Sequence, residues 1–155
     1  MTMPTPVALS AQNHPHLHNF VQFFEALSPS SLAQISRIYA PNARFKDPFN
    51  NVQGPAAVQQ IFEHMYATVH DPRFVVVQAI QQGHDAFVTW DFHFRFQRFS
   101  PQVTQTIHGA THLQFDEQGR VVLHRDYWDA AEELYEKLPA VGGFMRWLKR
   151  RAGQA

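Results

Sequence analysis

The stretch that most restricts this chain is residues 87–97, Phe-Val-Thr-Trp-Asp-Phe-His-Phe-Arg-Phe-Gln. Apolar and polar side chains alternate there with the period of a β-strand. Val88, Trp90, Phe92, Phe94 and Phe96 share one face, and Phe87, Thr89, Asp91, His93 and Arg95 share the other. The first face must be covered, because a continuous row of large apolar groups is not left in water. Each is worth roughly 1.5–3 kcal/mol when buried. Two covers are open. Helices of the same chain pack on the aromatic face and the polar face stays wet. Alternatively, the aromatic face meets a second subunit, and Asp91 and His93 look into a cavity. Periodicity alone slightly favours the first.

The preceding segments supply helices. Leu17, Phe20, Phe24 and Leu27 form one apolar stripe, which predicts a helix over residues 16–27 that Ser28-Pro29 ends. Ser31 with Gln34 reads as the capping box of a second helix, with Leu32, Ile35 and Tyr39 inside and Pro41 closing it. Arg44 to Pro48 is a short extended piece. A third helix opens at Gly54-Pro55, buries Val58, Ile61, Phe62, Met65 and Val69, and stops at His70-Asp71-Pro72. The pattern then switches to period two, predicting strands over 74–80, 87–97, 106–115 and 120–128. Asp129 with Glu132 caps a further helix to Leu138, and residues 144–151 read as a short cationic amphipathic helix. The expected class is α+β, a curved, mostly antiparallel sheet on three N-terminal helices. Residues 1–15 are expected to be loose, 16–140 a single domain, and 141–155 an amphipathic helix and tail.

Composition narrows the function classes. Thirteen basic residues balance thirteen acidic ones, so no net charge draws the chain to nucleic acid or to an anionic membrane. There is no cysteine, which excludes disulfides, thiolate metal sites and thiol nucleophiles. No run is long enough to span a bilayer, and the first residues lack the pattern of a secretory signal; a cytoplasmic location is expected. No glycine-rich phosphate loop or nucleophile elbow occurs. His14, His16 and His18 are close in sequence, but a solvated approach to the first helix is preferred over a metal site, and no cofactor is expected. The tail helix is too short for stable membrane anchoring without a second signal. Packing on its own chain or on a dimer mate is expected instead.

Two stretches carry a family resemblance. Tyr39-Ala40-Pro41-Asn42-Ala43-Arg44-Phe45-Lys46-Asp47-Pro48, followed by Gly54 and a helix, resembles the ketosteroid-isomerase segment in which an Asp before Pro is the general base. Trp90-Asp91 on a strand, with Arg125-Asp126-Tyr127-Trp128-Asp129 near the end of the last one, is similar to SnoaL-like and limonene-epoxide-hydrolase-like proteins. The resemblance covers residues 17–138 and implies a nuclear-transport-factor-2-like domain. Such a domain is a cone-shaped, cystatin-like roll around a small-molecule pocket. A homodimer through the sheet face is expected from the aromatic face of residues 87–97, should that face meet a second subunit.

The resemblance also implies roles. Asp47 matches the isomerase base, while Phe24 and Thr111 stand where its two oxyanion donors would be. Asp91 and Asp126 match the hydrolase carboxylates; Thr89 stands where the arginine between them would be, and Phe45 and Asp47 stand where its water-holding Tyr and Asn would be. Asp47, Asp91 and Asp126 are thus the candidate acid–base residues. Phe24, Tyr39, Phe45, Phe62, Met65, His93, Thr111, His124 and Trp128 are the candidate pocket lining. Structural alternatives remain open for each carboxylate: a turn cap at Asp47, a cross-strand ion pair at Asp91, and a structural pair with His124 at Asp126. The expected ligand is a small, mostly apolar molecule.

Overall fold

The computed structural model describes residues 13–138 and 140–153. Most of the N-terminal segment expected to be loose therefore lies outside the described residues. Helix α1 (Pro15–Glu25) buries Leu17, Phe20, Val21 and Phe24; it keeps three of the predicted stripe, adds Val21, and ends before Leu27, which packs half-buried against the core. A 3-10 turn, Pro29–Gln34, leads into the single turn α2 (Ile35–Ile38). The predicted cap shifts by three residues. The Ser31 hydroxyl accepts from the Ser28 N–H and donates to the Ser28 carbonyl, both at 3.0 Å, so the turn starts at Ser28.

Strand β1 (Tyr39–Lys46) is longer than the extended piece expected there, and it pairs with a short β2 (Asn51–Gln53) that hydrophobic patterning does not mark. Helix α3 (Pro55–Thr68) begins with proline at its first turn and buries Val58 and Phe62. It ends at Thr68, and β3 (Val69–Gln82) then runs straight through Pro72. Pro72, expected to stop the helix, instead lies inside the strand, four residues past the helix end. β3 is an edge strand, where a missing N–H costs no ladder bond. The register also shifts there, between His70 and Arg73, with Asp71 at φ 48°.

β4 (Asp85–Phe96), β5 (Gln105–Phe115) and β6 (Val121–Tyr127) complete one six-stranded sheet in the order β2-β1-β6-β5-β4-β3. All neighbours are antiparallel except β1 and β6, which are parallel. The helix expected to reach Leu138 is only a turn, α4 (Ala130–Glu133), followed by a 3-10 turn at Tyr135–Lys137. Asp129 caps α4, accepting from the N–H groups of Ala131 and Glu132 at 3.0 and 3.1 Å. Helix α5 (Val141–Ala152) closes the described chain. No helix among the described residues is long and apolar enough to cross a membrane.

The β4 question is decided by register. Trp90 and Phe94 are buried in the core, with Phe92 and Phe96 packed against it. The aromatic face therefore meets the helices of its own chain, not a second subunit. Asp91 and His93 point to the opposite face, which corrects the expectation that they look into a cavity. Several aromatic burials outweigh the solvation of two polar groups.

Candidate functional site

The inner sheet face and helices α1 and α3 do not close completely on each other. They leave a cavity of about 440 Å³, walled by Phe20 and Phe24 of α1, Phe62 and Met65 of α3, and Phe74, Trp90, Phe92 and Phe94 of the sheet. This lies within the roughly 300–1,000 Å³ of small-molecule sites. Phe45 and Trp128 join the wall, and Phe49, His64 and Thr68 mark where it reaches solvent.

At one end the apolar lining gives way to a chain of polar groups. Period two puts His124 and Asp126 on the inner face of β6. Asp126 sits directly across from Thr111 of β5. The Trp90 indole N–H donates to the Thr111 hydroxyl at 2.8 Å, and that hydroxyl donates to Asp126 Oδ1 at 2.5 Å. His124 Nε2 lies 2.8 Å from the same Oδ1, and the Tyr39 hydroxyl lies 2.7 Å from His124 Nδ1. With the carboxylate ionised, Nε2–H donates to it. Nδ1 is then the bare nitrogen and accepts from Tyr39. Burial, and then the nearby Asp126 charge, push the Tyr39 phenol well above its ordinary pKa, so it stays a donor. Aromatic rings of Phe45, Phe20 and Phe24 enclose the imidazole at centroid distances of 4.5, 5.8 and 5.9 Å.

Both hydrogen bonds to the Asp126 carboxylate fall on Oδ1, and no donor among the described residues reaches Oδ2. The side chain keeps 16% of its surface accessible, against 5% for His124. Asp126 is therefore held by one oxygen and open at the other. It also borders an open groove shared with Lys46, Asp47, Arg125 and Tyr127.

Two of the three candidate carboxylates, Asp47 and Asp126, border the same cavity, and Asp91 lies outside it. Asp47 borders the cavity, but the Phe49 and Asn50 N–H groups donate to its Oδ1 at 2.7 and 2.6 Å. The Asn50 side-chain amide spans both oxygens at 3.1 and 3.0 Å. It caps the β1–β2 turn, the structural alternative for an Asp-Pro pair. Asp91 is on the outer face, 2.6 Å from His108 Nδ1. His93 is on the same face, 2.8 Å from the Thr106 hydroxyl. Tyr39 is fully buried behind His124, off the cavity surface. Phe24, Phe45, Phe62, Met65, Thr111, His124 and Trp128 all line the cavity.

Sequence reasoning missed the part played by Trp90 and Gly109. The indole lies across Gly109, where a Cβ would come within 2.3 Å of the ring. A glycine inside a strand often marks such a close approach, so the signal was present in His108-Gly109-Ala110-Thr111. Among the described residues no three His, Asp or Glu side chains gather as a metal site would need.

The SnoaL-like domain model matches residues 20–124 of this sequence. The chain belongs to that family. Similar structures include a ketosteroid-isomerase-like protein from Catenulispora acidiphila, solved with trimethylamine, at 11% identity and TM-score 0.66, covering 84% of this chain and 92% of that one. An epoxide hydrolase of the limonene-epoxide-hydrolase-like type from M. tuberculosis matches at 12% identity and TM-score 0.62, over 94% of this chain and 98% of that one. A Shewanella putrefaciens protein provisionally named a SnoaL-like polyketide cyclase matches at 19% and 0.63, over 77% and 96%. At these identities the likeness establishes the fold of this SnoaL-like domain, and its chemistry must come from its own residues. A comparison with curated proteins gave no match.

Proposed function

We propose that this SnoaL-like domain binds a small, mostly apolar molecule in the inner cavity and that Asp126 moves a proton on it without a cofactor. The observation that carries the reading is the asymmetric seating of Asp126 at the polar end of an otherwise aromatic cavity. One oxygen is fixed by His124 and Thr111, and the other is free. A positioned carboxylate of this kind serves as general base or acid, depending on its protonation state, for isomerisation, dehydration, cyclisation or addition of water. Thr111 and His124 hold it at one angle, and Tyr39 sets the imidazole tautomer. The open groove supplies a path for water or protons.

Proton transfer can be tested before the substrate is known. A panel of hydrophobic ketones incubated with the protein in deuterated water is followed by NMR for deuterium at the carbon beside the carbonyl. The expected result is exchange catalysed by the natural protein and abolished in Asp126→Asn. Exchange that survives in the variant overturns Asp126 as the acid–base group.

A binding-only reading is favoured by a different observation: no cation lines the cavity beside Asp126 to steady a developing negative charge. Mass spectrometry of molecules extracted from the purified protein separates the two. An apolar ligand recovered from a protein inert toward the whole panel supports binding alone. The homodimer expected through the aromatic face of β4 loses that surface, which its own chain covers; a dimer would instead use the outer sheet face, where Val75, Ile80, Phe87 and Tyr127 are exposed. Sedimentation of Phe87→Ser tests it: loss of a dimer supports this surface, and an unchanged mass rejects it.

A further inference from the structure

Helix α5 is amphipathic, and it is mounted the wrong way round for a helix of a water-soluble domain. Gly142 is its buried residue, and a Cβ there would come within 2.3 Å of the Glu136 carbonyl oxygen. Next to it, Arg146 donates to the Glu136 carbonyl at 2.6 Å and Lys149 reaches the Glu132 carboxylate at 2.8 Å. The side that touches the body is thus Gly142, the half-buried Met145 and the paired cations. The opposite side carries Val141, Phe144, Trp147 and Leu148, which are 45, 59, 46 and 44% exposed. Ordinary amphipathic helices bury the second kind of face and expose the first.

Charge restricts what covers this face. The helix carries Arg146, Lys149, Arg150 and Arg151 and no acidic residue. With Arg146 and Lys149 engaged on the body, Arg150 and Arg151 are left beside the apolar side chains, and Arg151 lies over the Trp147 ring at 5.3 Å. An isologous pair of such helices would bring these cations together, so a second copy is disfavoured. Exposed Phe, Trp and Leu bordered by arginines suit the boundary between acyl chains and anionic headgroups. The helix is also joined to the cavity: the turn before it holds Tyr135, 6.1 Å from Phe49 at the rim, and Leu134, which lines the cavity wall.

We propose that α5 docks reversibly on an anionic lipid surface through Val141, Phe144, Trp147 and Leu148, with Arg150 and Arg151 facing the headgroups. The docking is independent of whether Asp126 is catalytic. Twelve residues give a peripheral and salt-sensitive contact, not a permanent anchor. It would hold the cavity near the phase in which apolar molecules dissolve.

The test is vesicle flotation of the whole protein. Vesicles of phosphatidylcholine with about one-third phosphatidylglycerol should carry it up at low salt, and phosphatidylcholine alone should not. Salt near 0.5 M should release it. Arg150→Gln with Arg151→Gln should weaken binding about 30-fold, from the typical contribution of a basic residue near such a surface. Phe144→Ser with Leu148→Ser should abolish it, with the melting temperature unchanged because both side chains are solvent-exposed. Failure to bind the anionic vesicles overturns the proposal, as does equal binding to both kinds. If vesicles are ignored while the α5 variants lower the mass in sedimentation, the face belongs to a second copy.

Discussion

The two faces of the sheet carry the same pairing of histidine with aspartate, and only the surroundings differ. On the inner face His124 and Asp126 meet at 2.8 Å with 5 and 16% of their side-chain surfaces accessible. On the outer face His108 and Asp91 meet at 2.6 Å with 66 and 30% accessible. The outer pair is the shorter, yet water competes for both of its members, and such pairs contribute about 0–1 kcal/mol. The inner pair is surrounded by phenylalanine rings and linked onward to Tyr39, Thr111 and Trp90. Contact distance therefore does not mark a site here. Exclusion of water on one side, with one oxygen left free, does.

The sharpest way to break this comparison is to neutralise one carboxylate on each face. Asp126→Asn is expected to lower proton exchange by about 10²–10⁴-fold, the usual worth of a positioned acid or base. Asp91→Asn is expected to leave it within twofold. Equal losses in the NMR exchange assay would mean that the outer face takes part in the chemistry.

Stability gives the next contrast. His124→Ala removes a buried ring and strands the Tyr39 hydroxyl, for an expected loss of about 3–5 kcal/mol. His108→Ala is expected to stay within about 0.5 kcal/mol. Urea unfolding of the two variants measures both, and a small loss at His124 would show that the inner pair is better solvated than its packing indicates.

Tyr39→Phe is expected to cost less, about 1–3 kcal/mol, by leaving Nδ1 without its donor. It also has a pH signature. Tyr39 holds its proton more tightly folded than unfolded, because of burial and then Asp126. Its contribution is complete below the unfolded value near 10 and declines as pH rises above it. The variant should therefore lose less stability than the natural protein between about pH 10 and 11, as read from urea midpoints.

Much of this was legible in the sequence, for physical reasons that differ by element. Period two on residues 87–97 marked a strand with an aromatic face, but the identity of the cover depends on contacts far along the chain. The resemblance to relatives that use a carboxylate on that strand pulled Asp91 inward, whereas its own neighbours Trp90 and Phe92 push it out. Asp126 and His124 were readable as a pair because they are two residues apart on a strand. Tyr39 and Trp90 were not readable as their supports, since Tyr39 lies 85 residues from His124. Asp47 before Pro48 fitted both a base and a turn cap, and it is the Phe49 and Asn50 N–H groups that hold it as a cap.

The smallest effect belongs to another outer pair and fixes the lower end of the scale. Hydrogen bonds from His112, and then Gln114, hold the Asp85 carboxyl below the usual carboxylate range. A lowered folded value means that Asp85 adds stability above the unfolded pKa near 4 and loses it as pH falls through the folded one. Asp85→Asn should then be slightly less stable than the natural protein at pH 5, with the two curves drawing together as pH approaches about 3. Solvent around the pair keeps that difference small. A gap at pH 5 as large as the one from His124→Ala would mean that a covering subunit shields the outer face, and the two faces would no longer differ in the way the single chain shows.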